Sequence, residues 1–147
     1  MFALCYVCWA AVHIQREFWA MSKKNIKTEH PELSKTFFGA IDTALFFTYA
    51  LAQFFTGQFG DMFSRRKVLA TSFAIQATLF VFIAVGGTYE MFYLWYFGTI
   101  FAVIGIVQSV DFPVCVSTIG DWTQKSHRGI ISGCWATCTQ IGNILGL

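Results

Sequence analysis

The sequence predicts an all-α membrane protein, a bundle of about five membrane-crossing helices with the first and last truncated. Three observations predict it. Of 147 residues, 56% are hydrophobic and only 12% charged, about half the ~25% charge of a soluble domain, which needs that charge for its surface. Mean hydropathy is +0.56. The apolar residues also gather into runs close to the ~20 residues that cross a ~30 Å hydrocarbon core as helix. The runs are too long for strands and lack their period-two alternation.

Taken in order, the first run covers 1–21 and is apolar as far as Val12. It has no positive segment after Met1, and its polar residues His13, Arg16 and Glu17 come late, so it reads as a transmembrane helix rather than a cleaved leader. The second run, 37–57, is interrupted only by Asp42, and the third, 68–87, carries no charge. The fourth, 91–118, contains Asp111 alone, and the fifth, 130–147, is uncharged to its end. Pro113 is expected to kink the fourth helix. Polar breaks at 22–36, 58–67, 88–90 and 120–129 separate the runs. Lys and Arg number five in the second and fourth breaks against four in the first and third, too even a split to orient the chain by charge.

Polar residues are costly inside a membrane, so their spacing shows which helix faces avoid lipid. In the second run Asp42, Tyr49 and Gln53 lie at i, i+7 and i+11, one helical face. Gln108, Asp111 and Cys115 form such a stripe in the fourth run, and Trp135, Thr139 and Asn143 in the fifth. The first run aligns Tyr6, Ala10 and His13, with Arg16 one turn beyond His13. The third has only scattered Thr and Gln and is expected to face lipid. Such stripes serve either as contacts between helices, helped by small residues such as Gly133 and Gly142, or as the lining of a polar path. Arg16 and Asp111 could pair with each other, or Arg16 could reach the interface. Intramembrane charges nevertheless point first to function. An arginine in particular offers a fixed fork of donors that matches phosphate oxygens.

The pattern excludes several classes. A net charge of +2 without a basic face argues against a nucleic-acid partner. There is no metal-ligand spacing, nucleophile elbow or glycine-rich phosphate loop, so no catalytic residues, metal or cofactor are expected. Cys5 and Cys8 form a lone C-x-x-C without a second pair. All five cysteines are expected to be buried as small hydrophobes.

The second break contains Gly57, Asp61, Arg65 and Arg66. This resembles the G-x-x-x-D-[RK]-x-G-[RK]-[RK] loop between the second and third helices of the major facilitator superfamily, with Met62 and Ser64 departing from it. Other stretches are similar to the organophosphate:phosphate antiporter branch, in particular the sugar-phosphate exchangers of solute carrier family 37. They are Gly39-Ala40-Ile41-Asp42 with Tyr49-Ala50; Gly105-Ile106-Val107-Gln108 before Pro113; Arg128-Gly129, Gly133 and Trp135; Gly142-Asn143-Ile144-Leu145-Gly146; and His13-x-x-Arg16. The matches follow one another along essentially the whole chain.

The resemblance implies that residues 1–147 form an incomplete N-terminal half of a major-facilitator transporter. It also implies antiport of a sugar phosphate, of the glucose-6-phosphate or glycerol-3-phosphate type, against inorganic phosphate by alternating access. Arg16 would bind substrate phosphate, with His13, Tyr49, Gln108 and Thr139 lining the cavity. Gly57, Asp61, Arg65, Arg66 and Arg128 would form the gating loops, and the residence would be the endoplasmic reticulum membrane. Because a midplane site draws on both halves, these 147 residues alone are expected not to transport. Glu17, Asp111 and Ala136 stand where the family has a lysine, a glycine and an asparagine. The two carboxylates keep two alternatives open: transport of a cationic or non-phosphorylated solute, and a non-transporting membrane scaffold.

Overall fold

The computed structural model describes residues 2–58 and 62–147, and among the described residues every regular element is helical. In chain order these are α1 (Phe2–Glu29), α2 (Lys35–Thr56), α3 (Arg65–Thr88), α4 (Leu94–Gln108), α5 (Asp111–Trp122), a single 3-10 turn (Lys125–His127) and α6 (Arg128–Leu145). Three stretches are long and apolar enough to cross a membrane: Lys35–Thr56, Arg65–Thr88 and Leu94–Trp122, the last comprising α4 and α5 together.

Several boundaries differ from the sequence reading. Helix α1 continues through residues 22–29 instead of ending near Met21. That segment has no Gly or Pro, and its three lysines and Glu29 favour helix. It stops where Pro31 disfavours helical geometry in the residue before it. In the turn that follows, His30 Nδ1 lies 2.9 Å from a Glu32 carboxylate oxygen. Glu32's own backbone amide, and then His30, hold that carboxyl below its ordinary range. Ser34 caps α2 by accepting from the Phe37 amide at 3.1 Å. Arg65, Arg66 and Lys67, expected in a loop, form the first turn of α3. They are good helix formers that follow an N-cap serine.

The helix following the third polar break begins at Leu94 rather than Met91. Helix α3 closes with the Met91 amide bonded to Gly86 O at 2.9 Å and the Glu90 amide to Gly87 O at 3.2 Å. This is a Schellman closure, with Glu90 at φ 54° in the left-handed position that glycine usually fills.

The chain divides into two compact units, Ser34–Val114 and Met1–Leu33 with Cys115–Leu147. In the first, α4 is the hub. Phe97, Phe101, Ile104, Gly105 and Gln108 recur at helical period and are all buried. Helix α2 runs parallel to α4 and buries Phe38, Ile41 and Leu45. At Gly105, an added Cβ would collide with Leu45 O and the Thr48 hydroxyl, so the two backbones touch. Helix α3 returns antiparallel to α4, with the Tyr96 hydroxyl donating to Phe82 O at 2.8 Å and Ser72 reaching Val107 O.

As expected for a lipid-facing helix, α3 leaves Ile75, Val81, Phe82 and Val85 exposed. Its buried stripe, however, is Leu69, Ser72 and Gln76, so its polar side chains point inward.

In the other unit α1 and α6 lie parallel, and small residues set their spacing. A Cβ on Gly142 would come within 2.6 Å of Ala10 O and 2.8 Å of His13 Cβ. Cys5, Cys115 and Cys138 are buried as expected, whereas Cys134 is exposed and Cys8 half-buried.

Gly142→Leu should therefore force α1 and α6 apart and cost about 1–3 kcal/mol, the usual penalty for overpacking. Gly133→Leu, with nothing within 4 Å of the added Cβ, should be nearly neutral. Unfolding of detergent-solubilised protein, followed by circular dichroism, compares the two.

Candidate functional site

The α1–α6 face assembles the stripes that the sequence singled out on the first and last runs. Tyr6 OH and Thr137 Oγ1 lie 2.8 Å apart. The indole Nε1–H of Trp9 donates to Thr139 Oγ1 at 3.2 Å, and His13 Nδ1 lies 3.1 Å from Asn143 Oδ1. Because an amide oxygen only accepts, the His13 Nδ1–H donates in that bond. The Trp9 ring stacks on Trp135 at 6.0 Å and meets the His13 ring edge-on at 5.3 Å. His13 and Thr139 thus join the two helices to each other. Arg16 continues the same row of α1 one turn further and is half-buried, beside a Glu17 that packs against Gly146.

The unit 34–114 holds a second polar cluster, fully enclosed. Gln76 Nε2 donates to Asp111 Oδ2 at 2.8 Å and to Ser72 Oγ at 2.9 Å, while Gln76 Oε1 accepts from Gln108 Nε2 at 3.3 Å. Gln76, Gln108 and Asp111 are each at most 1% exposed. Both protons of one amide and its oxygen are used, as burial in a low-dielectric interior demands.

The cluster adjoins the break between α4 and α5. Pro113 has no N–H to bond the carbonyl four residues back, which is that of Ser109. Ser109 O instead accepts from Thr56 Oγ1 at 3.1 Å. Ser109 Oγ donates to Ile106 O at 2.6 Å, and Ser72 Oγ to Val107 O at 3.3 Å. Hydroxyls from α2, α3 and the break itself take up the carbonyls that the interrupted helix releases.

The remaining expected site residues are dispersed. Tyr49 is half-buried on α2, and Gly57 is the α2 C-cap. Asp61 lies outside the described residues. Arg65 and Arg66 open α3. Arg128 opens α6 and donates from Nη2 to Gly120 O at 3.2 Å, near the C-terminus of α5, where a cation offsets the helix dipole. A cleft of about 580 Å3 lies beside this contact, lined by Ser117, Asp121, Arg128, Ser132 and Trp135 among others. Among the described residues no group of three or more His, Cys, Asp or Glu side chains gathers where it could hold a metal ion.

Sequence reasoning missed Ser72, Gln76 and Thr56 as partners of the fourth-run stripe. Ser72 and Gln76 stand at i, i+4 in an otherwise apolar helix. That spacing was the available signal.

Gln76→Leu should destabilise the protein by about 1–3 kcal/mol, since it strips the Asp111 carboxyl and the Gln108 amide of a buried partner. Thr78→Val, on the exposed side of the same helix, should cost under about 0.5 kcal/mol. Thermal unfolding in detergent measures both.

Helices of this length and hydropathy, joined through polar contacts on their inner faces, define a multi-pass integral membrane protein. A family model described as Major Facilitator Superfamily matches residues 6–147, and the chain belongs to that superfamily. It is 32% identical over 139 residues to sugar phosphate exchanger 3 of Mus musculus, covering 92% of this chain and 27% of that protein. It is 34% identical over 109 residues to glucose-6-phosphate exchanger SLC37A2 of Danio rerio, covering 74% of this chain and 22% of that one. Sugar phosphate exchanger 3 of Xenopus laevis is 35% identical over 111 residues, 75% of this chain and 22% of the relative. The chain spans about a quarter of the length of the curated relatives it matches. No solved structure matches it.

Proposed function

We propose that residues 1–147 are the N-terminal, incomplete half of a transporter that exchanges a sugar phosphate for inorganic phosphate by alternating access. The observation that carries this reading is the likeness, along most of the chain, to proteins named sugar phosphate and glucose-6-phosphate exchangers. Arg16 is the N-half phosphate ligand in this reading. Its guanidinium stays charged, matches two phosphate oxygens at once, and continues the polar row of α1 beyond His13. In this reading Tyr49 and Thr139 lie near the path, with Gln108 behind it in the enclosed Asp111 cluster, and Gly57, Asp61, Arg65, Arg66 and Arg128 belong to the gating loops and the helix ends that flank them.

One finding favours an anion over a cation as cargo. Asp111, one of the two carboxylates that pointed to a cationic solute, is enclosed at 1% exposure and bound to Gln76. It is thereby occupied in holding α3 to the interrupted helix. The protein acts without cofactor or catalytic residue, on organic phosphate and phosphate within a lipid bilayer, and resides in the endoplasmic reticulum membrane. Co-fractionation of the tagged protein with that membrane tests the residence.

In phosphate-loaded proteoliposomes, the full-length protein should take up glucose-6-phosphate or glycerol-3-phosphate only when phosphate is inside. Arg16→Lys should lower that uptake by about tenfold or more, because a point charge does not reproduce the fork. The 147-residue chain alone should show no uptake above empty liposomes. Uptake independent of internal phosphate, or unchanged in Arg16→Lys, overturns the reading.

A further inference from the structure

The unit 34–114 carries an apolar groove of about 390 Å3 between the end of α2, the start of α3 and the end of α4. That volume lies in the ~300–1,000 Å3 range of ligand sites. Its walls include Phe63, Val68, Ile75, Ile106 and Val107, and among the described residues Lys67 is its one charged lining residue. The hydroxyls of Thr56 and Ser72 also line it, but both donate to carbonyls of the interrupted helix, Ser109 O and Val107 O. Among the described residues the groove therefore presents mostly carbon along its length and a cation at one end, with Thr71 adding a third hydroxyl to its wall.

This chemistry selects an amphiphile. A polar solute would lose most of its hydration against walls that return few hydrogen bonds. A hydrocarbon chain loses nothing there, and an anionic head gains the ammonium of Lys67. The position fits as well. Lys67 sits in the first turn of a membrane-crossing helix beside Arg65 and Arg66, and Lys67 and Arg66 are exposed. Such a triplet at the end of a span stands at headgroup depth, where basic clusters attract anionic lipid.

We propose that this groove binds one acyl chain of an anionic phospholipid, with the lipid phosphate held by Lys67 and supported by Arg66. The site is distinct from the Arg16 row and does not depend on the exchange reading. A transporter of any cargo, or a scaffold, would carry it equally.

Native mass spectrometry of the protein in uncharged detergent tests it, by titration with phosphatidylglycerol and with phosphatidylcholine of the same acyl chains. One phosphatidylglycerol should bind about fivefold tighter than phosphatidylcholine, the scale of one cation facing an anionic lipid. Lys67→Gln should abolish the preference while leaving phosphatidylcholine binding in place. Ile75→Trp, which fills the groove without touching its charge, should weaken both lipids. Lys67→Gln changes an exposed side chain, and circular dichroism checks that each variant keeps its helix. Lys125→Gln, outside the groove, should behave as the parent. Equal binding of the two lipids overturns the proposal. So does a preference that survives Lys67→Gln, tight binding that survives Ile75→Trp, or a loss in Lys125→Gln equal to that in Lys67→Gln.

Discussion

No backbone carbonyl or amide in a hydrocarbon core can turn to water, and the rest of this structure depends on how the chain meets that requirement at Pro113. A proline in a membrane helix leaves the carbonyl four residues earlier without its amide, at a cost of several kcal/mol if nothing replaces it. Here the helix parts at Ser109–Val110. Thr56 from α2, Ser72 from α3 and Ser109 itself supply hydroxyl donors to three carbonyls of the last turn. The repair ties three helices to one point. Gln76 and Gln108 extend it to the carboxyl of Asp111, so the most polar residue of the span is among its most enclosed. Association of α2 and α3 with α4 is thus driven as much by satisfying an interrupted backbone as by packing Phe97, Phe101 and Ile104.

The direction of the helices follows from the membrane. Helices α2 and α4 run parallel, as they must when α3 crosses back between them. Helices α1 and α6 also run parallel, which in a bilayer requires an odd number of crossings between them. Three crossings satisfy this only if α4 and α5 together make one, in agreement with the apolar stretch Leu94–Trp122. The break is then an interruption within a span, and the membrane interface lies beyond it. Polar side chains aligned on the helices make the lateral contacts, with glycines at Gly105 and Gly142 where two backbones meet.

Much of this was legible in the residues. Run lengths located the three stretches that are long and apolar enough to cross a membrane, and helical spacing singled out the faces of Tyr6, Ala10 and His13 and of Trp135, Thr139 and Asn143, which the structure brings together. Pro113 announced an interruption, although its place, four residues upstream, follows from which carbonyl the ring releases. The extension of α1 to Glu29 was hidden because a polar sequence was read as a loop, whereas Lys and Glu favour helix once it leaves the bilayer. The role of Ser72 and Gln76 was hidden because a mostly exposed helix was judged by its average. Its single inward stripe carries the polarity. Of the candidate site, the sequence indicated which side chains avoid lipid. His13 and Thr139, expected at a cavity, join α1 to α6, and Gln108 is enclosed in the Asp111 cluster. Spacing cannot distinguish a cavity wall from a helix contact, because both are polar and both face inward.

The central structural claim is that Leu94–Trp122 is one interrupted crossing, so that the chain passes the membrane once in each of its five helical spans. Accessibility of single cysteines to a membrane-impermeant thiol reagent tests it most directly. Residues 27, 58, 90 and 126 would be substituted one at a time after the five native cysteines are replaced. The account predicts that positions 27 and 90 label from one side of the membrane and positions 58 and 126 from the other. Labelling of 90 and 126 from the same side would mean that α4 and α5 fold back as a re-entrant hairpin, and would contradict it.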